Sequence, residues 1–180
     1  MPTTIDPTTG APLADWPLHD AATVDARLER AAAAQAAWAA TPLGVRAAHL
    51  RRLAAVLRDR KDALAARMTA EMGKPVAQAR GEVDKCAWVC EHYADHAAAY
   101  LAPVEVDAKA ELSVVLPRPL GGVLAIMPWN FPLWQVLRFG APALMAGNAV
   151  LVKHAPSTPG CSADIEQACR DAGLPEGLLQ

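Results

Sequence analysis

Apolar positions recur at helical spacing through the first hundred residues. From Thr23, read as an N-cap, Val24, Leu28 and Ala31 stand at i, i+4 and i+7 in an alanine-rich run to Ala40 that Pro42 ends. A second helix is expected from about Val45 to Arg58, with Leu50, Leu53, Ala54 and Leu57 on one stripe and arginines on the other face. Lys61 to Met72 predicts a third helix, closed by Gly73 with Pro75 just beyond, and a fourth runs from about Pro75 to Tyr100. Ahead of them, Pro2, Pro7, Pro12, Pro17 and Gly10 make residues 1–20 an extended arm, with turn chemistry at Asp6-Pro7-Thr8-Thr9-Gly10.

At Pro103 the pattern changes. Val104-Glu105-Val106 and Glu111-Leu112-Ser113-Val114-Val115-Leu116 flank Asp107-Ala108-Lys109-Ala110 as a hairpin or a pair of connecting strands, which Pro117 and Pro119 stop. Val123-Leu124-Ala125-Ile126-Met127 and Ala149-Val150-Leu151-Val152 are short continuous apolar runs, the pattern of parallel strands buried on both faces. Pro132 to Ala146 between them is helical in period despite Pro142, and Thr158 to Ala172 reads as a capped helix closed by Gly173. Strand, helix, strand, helix predicts a right-handed βαβα unit. The organisation is then an arm (1–20), a helical part (21–102), bridging strands (103–117) and a βαβα unit (118–180).

Composition supports this division. Of 40 alanines, 29 precede Pro103, and alanine loses no side-chain entropy in a helix. Seventeen basic against nineteen acidic residues give a net charge of −2, so no cationic excess exists to track a phosphate backbone or an anionic membrane; nucleic acid and lipid are excluded as main partners. The amino terminus lacks the basic and apolar regions of a secretory signal, which predicts an intracellular, cytoplasmic setting. Leu120 to Val152 is the most apolar stretch, but Asn130, Gln135, Arg138 and Asn148 interrupt it and Pro128, Pro132 and Pro142 break it, so it is expected as buried core rather than a membrane span. Cys86, Cys90, Cys161 and Cys169 are sparse for a disulfide framework and read as small buried hydrophobes.

Familiar chemical motifs are mostly missing. No Gly-x-Gly-x-x-Gly follows the first parallel strand, and Gly73-Lys74-Pro75 lacks the rest of a phosphate loop. Cys86, Cys90, His92 and His96 are metal-ligand types, but on one helix the cysteines and histidines lie roughly 120° apart at ~100° per residue, which cannot close on a single ion. The informative segment is Met127-Pro128-Trp129-Asn130-Phe131-Pro132, at the carboxyl end of the first parallel strand, where open α/β sheets bind their ligands. Asn130 is a candidate donor to an oxygen gaining negative charge, although spacing alone favours an N-cap for the following helix. Trp134 and Arg138 share a helix face, where the guanidinium could clamp a carboxylate or form a surface ion pair. Lys153, just after the second strand, could reach a ribose or phosphate, or simply be solvated.

Glu71-Met72-Gly73-Lys74-Pro75, Gly121-Gly122-Val123, Met127-Pro128-Trp129-Asn130-Phe131-Pro132, Ala146-Gly147-Asn148 and Lys153-His154-Ala155-Pro156, in this order and spacing, strongly resemble the N-terminal part of aldehyde dehydrogenases. The first and last of these segments are most similar to the succinate-semialdehyde dehydrogenase branch, and the resemblance covers the chain from about Ile5. It implies an α/β fold in which N-terminal helices precede part of a Rossmann-like parallel sheet, and oxidation of an aldehyde, here succinate semialdehyde, to its acid with NAD or NADP. By position it makes Asn130 one donor of the oxyanion hole, a catalytic role. Ile126, Met127, Pro128 and Trp129 match the cofactor cleft and Lys153 the ribose-contacting lysine. Trp134 and Arg138 fall in the substrate site, Arg138 gripping the distal carboxylate. Pro156 stands where the family often has a glutamate for the ribose hydroxyls, which removes a repulsion against a 2′-phosphate and leaves NADP admissible beside NAD. The strands of 103–117 match an oligomerisation element, implying a homo-oligomer.

The resemblance also implies that the nucleophilic cysteine, the general-base glutamate and the glycine-rich turn lie beyond these residues. None of the four cysteines matches the nucleophile, so a truncated chain without turnover is expected. Leu178-Leu179-Gln180 read as the approach to a third strand. The competing reading is a non-catalytic interaction module that pairs its strand edges with another copy or a partner.

Overall fold

The computed structural model describes residues 2–180; Met1, the first residue of the expected arm, lies outside the described residues. The arm folds back on itself, with β1 (Thr3–Ile5) antiparallel to β2 (Pro12–Asp15). The predicted turn chemistry makes the reversal: the Asp6 carboxylate accepts the Thr8 N–H at 2.7 Å, and Gly10 takes φ +74°.

Four helices follow, α1 (Ala21–Ala40), α2 (Leu43–Asp59), α3 (Lys61–Met72) and α4 (Val76–Tyr100). The first starts ahead of expectation because Asp20, rather than Thr23, is its cap; its carboxylate accepts the Thr23 N–H at 2.8 Å. Gly73 closes α3 in the left-handed conformation at φ +72°, and a Cβ there would meet Pro7 Cγ at 3.2 Å, so the hairpin turn leans on the corner between α3 and α4. The stripe Leu50, Leu53, Ala54 and Leu57 is fully buried where α2 packs along α4.

The bridging segment forms a short antiparallel pair, β3 (Val104–Glu105) with β4 (Val114–Val115), two residues per strand. Val104, Leu112 and Val115 are each more than half exposed on it. Then come β5 (Gly122–Ile126), α5 (Trp134–Met145), β6 (Ala149–Lys153) and α6 (Pro159–Asp171). β5 and β6 are parallel, with Gly122 opposite Ala149 and Ile126 opposite Lys153. Leu178 and Gln180 continue the ladder on the far side of β6: Val150 N–H donates to Leu178 O at 2.7 Å and Val152 N–H to Gln180 O at 2.8 Å.

Burial on both faces, expected for β5, holds on one only. Ala125 is buried and Val123 half-buried, while Leu124 is 62% and Ile126 71% exposed on the opposite face. The strand is apolar throughout, but among the described residues the cover reaches only one side. The helical half and the α/β half nevertheless form one core. Trp38 of α1 is buried and donates its indole N–H to Leu144 O at 2.7 Å, while Arg46 donates to Met145 O at 2.6 Å and Gln35 to Gly147 O at 3.0 Å. Side chains from α1 and α2 thus bond carbonyls at and just past the end of α5.

Candidate active site

The carboxyl ends of β5 and β6 carry the segments singled out from the sequence. Beyond β5 the chain turns through Met127–Leu133 into α5, and beyond β6 through His154–Thr158 into α6. Three separate contacts hold these two turns.

The first is made by a carboxylate on α4. Glu82 is buried on the same stripe as Ala79, Val83 and Cys86, and its Oε1 accepts both the Leu133 and Trp134 N–H groups at 2.9 Å. It therefore caps α5, with a negative charge where the helix dipole favours one. Lys74, from the turn after α3, is also buried and forms an ion pair with Glu82. The Lys74 ammonium donates to Asn130 O at 3.0 Å and sits 4.0 Å from the centre of the Phe131 ring.

The second contact is made by Glu71, at the end of α3. Its two carboxylate oxygens accept the Gly160 N–H at 2.8 Å and the Cys161 N–H at 2.9 Å, capping α6. Thr158, the residue at the N-cap position, makes no side-chain capping bond to the helix, so the expected local cap is replaced by a distant one. A Cβ at position 160 would lie 2.5 Å from Glu71 Oε1, so the cap requires glycine there.

The third joins the two turns. His154 Nε2–H donates to Pro132 O at 2.8 Å, while Nδ1 accepts the Ala155 N–H at 2.9 Å and lies 2.9 Å from the Thr158 hydroxyl. Those partners fix the neutral Nε2–H tautomer. Burial holds the imidazole below the usual histidine range, outweighing the bonds that favour its charged form.

This scaffold removes the N-cap reading of Asn130. Because Glu82 takes the first N–H groups of α5, Asn130 is not its cap. Its side chain is exposed and makes no hydrogen bond among the described residues, while its carbonyl is fixed by Lys74. Arg138 is likewise exposed without an ion pair among the described residues. It lines an open cleft of about 510 Å³ between β5 and α5 together with Leu124, Ala125, Met127, Gln135, Phe139 and Pro142. Trp134 faces elsewhere, its ring 4.0 Å beneath the Lys85 ammonium. Ile126 and Lys153 lie opposite each other at the strand ends, and Pro128, Trp129, Lys153 and Pro156 are exposed around them. The structure thus gathers Met127 with Arg138 in the cleft, and Ile126 with Lys153 at the sheet end, with Asn130 on the turn beyond.

The four cysteines are free and buried. Burial pushes the thiols of Cys86, Cys90 and Cys161 far up and that of Cys169 up to about 12, so none is poised as a thiolate. His92 and His96 stack 4.4 Å apart on the exposed face of α4, away from Cys86 and Cys90, and no group of three or more metal-ligating side chains occurs among the described residues.

The sequence profile of the aldehyde dehydrogenase family matches residues 2–180. The chain belongs to the aldehyde dehydrogenase family. It is 46% identical over 177 residues to a protein of Synechocystis sp. named probable succinate-semialdehyde dehydrogenase, NADP(+), covering 98% of this chain and 39% of that one. It is 44% identical to the succinate semialdehyde dehydrogenase Sad, NAD(P)+, of Escherichia coli K12, covering 97% of this chain and 38% of the relative. A crystal structure of succinic semialdehyde dehydrogenase from Streptococcus pyogenes with NADP+ superposes with a TM-score of 0.96 at 33% identity, covering 99% of this chain and 40% of that one. The chain therefore spans about two fifths of the length of the dehydrogenases it matches.

For this aldehyde dehydrogenase chain, sequence reasoning missed Glu71, Lys74 and Glu82 as working residues; the first two served only as markers of resemblance. A signal was present. Glu71 and Glu82 fall on the apolar stripes Leu64, Met68, Glu71 and Ala79, Glu82, Cys86, where a carboxylate is buried only if it finds donors.

Proposed function

We propose that residues 1–180 supply one wall of the cofactor cleft, one oxyanion donor and the substrate clamp of an NAD(P)-dependent dehydrogenase that oxidises succinate semialdehyde to succinate. The observation that carries this reading is Asn130: an exposed amide without a protein partner among the described residues, at the carboxyl end of a parallel strand, on a turn fixed through its main chain. The residues present suit a dinucleotide. Ile126, Met127 and Trp129 offer apolar surface at the strand ends, and Lys153 places an exposed cation beside Ile126.

A bound nicotinamide supplies the hydride acceptor. The chain's own residues do the rest of what these 180 positions contribute. Asn130 donates its side-chain N–H to the aldehyde oxygen as that oxygen gains negative charge, a role that favours the transition state because the main chain carrying the donor is already held. Ile126, Met127, Pro128 and Trp129 exclude water from the cleft, and Lys153 donates to a ribose oxygen. Pro156 brings no carboxylate, so a 2′-phosphate is not repelled and NADP is accepted. Arg138, on the open cleft with Met127, pairs with the distal carboxylate of the substrate. Succinate semialdehyde and water give succinate, with a hydride passed to the cofactor and protons to solvent; the attacking thiolate and the general base come from outside these residues. The exposed apolar hairpin of 103–117 supports a further part of the reading, a contact between subunits.

The test uses a complete enzyme in which residues 1–180 replace the matching segment of a full-length relative. Asn130→Ala is expected to lower kcat by about 100- to 1000-fold. A kcat unchanged by that substitution defeats the oxyanion role.

A further inference from the structure

We infer that the buried pair Lys74–Glu82 is the positioning device for Asn130, an inference that rests on the oxyanion reading above. Asn130 has no side-chain contact of its own to aim it among the described residues, so its reach depends on where the main chain of its turn is held. That main chain is held at both ends by one ion pair. Lys74 grips Asn130 O at 3.0 Å and underlies the Phe131 ring, while Glu82 grips the Leu133 and Trp134 N–H groups at 2.9 Å. Lys74 and Glu82 also bind each other, so the two grips form a single rigid bracket spanning residues 130–134.

Both members come from elements laid down well before the turn. Lys74 is fixed by the corner that Gly73 and Pro75 make, with its own carbonyl accepting the Thr69 hydroxyl at 2.8 Å, and Glu82 by the buried stripe of α4. Neither residue needs to touch substrate or cofactor. They act through Asn130, and loosening either one lets the donor drift from the oxyanion by about an ångström or less, enough to slow a reaction that depends on alignment.

The single variant Lys74→Met leaves a buried carboxylate without its cation and can fail to fold. The deciding variant is therefore Lys74→Met with Glu82→Gln, which removes both charges while the amide oxygen introduced by the second substitution still accepts from α5. In the complete enzyme carrying residues 1–180, the double variant is expected to lower kcat about ten- to a hundredfold and leave the KM for NADP within about twofold. Asn130→Ala added to it is expected to cost much less than in the parent, because the donor is already misplaced. If the two losses simply multiply, or if KM for NADP rises as kcat falls, the bracket does not act through Asn130 and the inference is overturned. Amide hydrogen exchange on the 180-residue chain gives a readout independent of turnover. Faster exchange of the Leu133 and Trp134 amides, which donate to position 82, in the double variant, with α2 unchanged, supports the bracket; unchanged exchange there overturns it. A parent enzyme that oxidises no aldehyde refutes the functional reading instead, and the exchange result still decides the bracket.

Discussion

His154 links pH to the shape of the site through one imidazole. It is neutral in the fold, donating to Pro132 O and accepting from the Ala155 N–H, and burial lowers its pKa from the ordinary 6.5. Below that value the unfolded chain binds a proton that the folded chain resists, so the stability His154 contributes is present above pH 6.5 and is lost as pH falls through its lower folded value. Urea unfolding at pH 7.5 and 5.5 should show a drop that His154→Gln makes shallower; an equal drop in both proteins would refute the assignment. Arg138 is the second residue with a clear expectation. Arg138→Ala in the complete enzyme should raise the KM for succinate semialdehyde about tenfold or more and leave a neutral aldehyde of similar length nearly unchanged, the worth of a hydrogen bond to a charged group. Preference for the charged aldehyde surviving that change would remove the clamp. Arg138 was legible in the sequence as a face of a helix. Asn130 was not separable from an N-cap there, because what frees it is Glu82, a residue on a different and distant helix.

The elements themselves were largely legible, since each is set by local rules: alanine and apolar period for α1 to α4, short apolar runs for β5 and β6. Their ends were less so. The α6 helix starts where Glu71 can cap it, and that contact joins residues 89 and 90 positions apart. Gly160→Ala should push Glu71 off its donors, since the new Cβ falls 2.5 Å from Oε1 and 2.9 Å from Arg67 Cδ. The expected cost is about 2–3 kcal/mol, read as a lower urea midpoint, because a cap and a buried hydrogen-bonded carboxylate are lost together. A midpoint within experimental scatter of the parent would show that α6 does not need Glu71. The β3–β4 pair is shorter than the predicted runs, because two residues a side are all that pair, and its valines and Leu112 remain exposed. Charged residues at Leu112 and Val115 in the complete enzyme should shift it to smaller species in light scattering without unfolding it; an unchanged mass would dissociate this hairpin from assembly.

For the whole molecule, the chemistry of the four thiols sets the expectation for the chain by itself. All are buried with raised pKa values, so residues 1–180 with NADP and succinate semialdehyde should show no growth of the reduced-nicotinamide absorbance. Steady reduction by the pure chain would overturn that. Sheet and helices were readable as separate stretches, but not their mutual dependence, which runs through side chains far apart in sequence: Trp38 to Leu144, Glu71 to Gly160, Glu82 to Leu133. That dependence has a direction in time. Glu71 and Glu82 leave the ribosome before the N–H groups they cap, and synthesis at ~5–20 residues per second separates each carboxylate from its helix by several seconds. Until residue 161 emerges, Glu71 stands on the apolar stripe of α3 with its α6 donors still unmade, whereas Glu82 already has Lys74. The cap on α6 is therefore among the last contacts open to a chain made from its amino terminus.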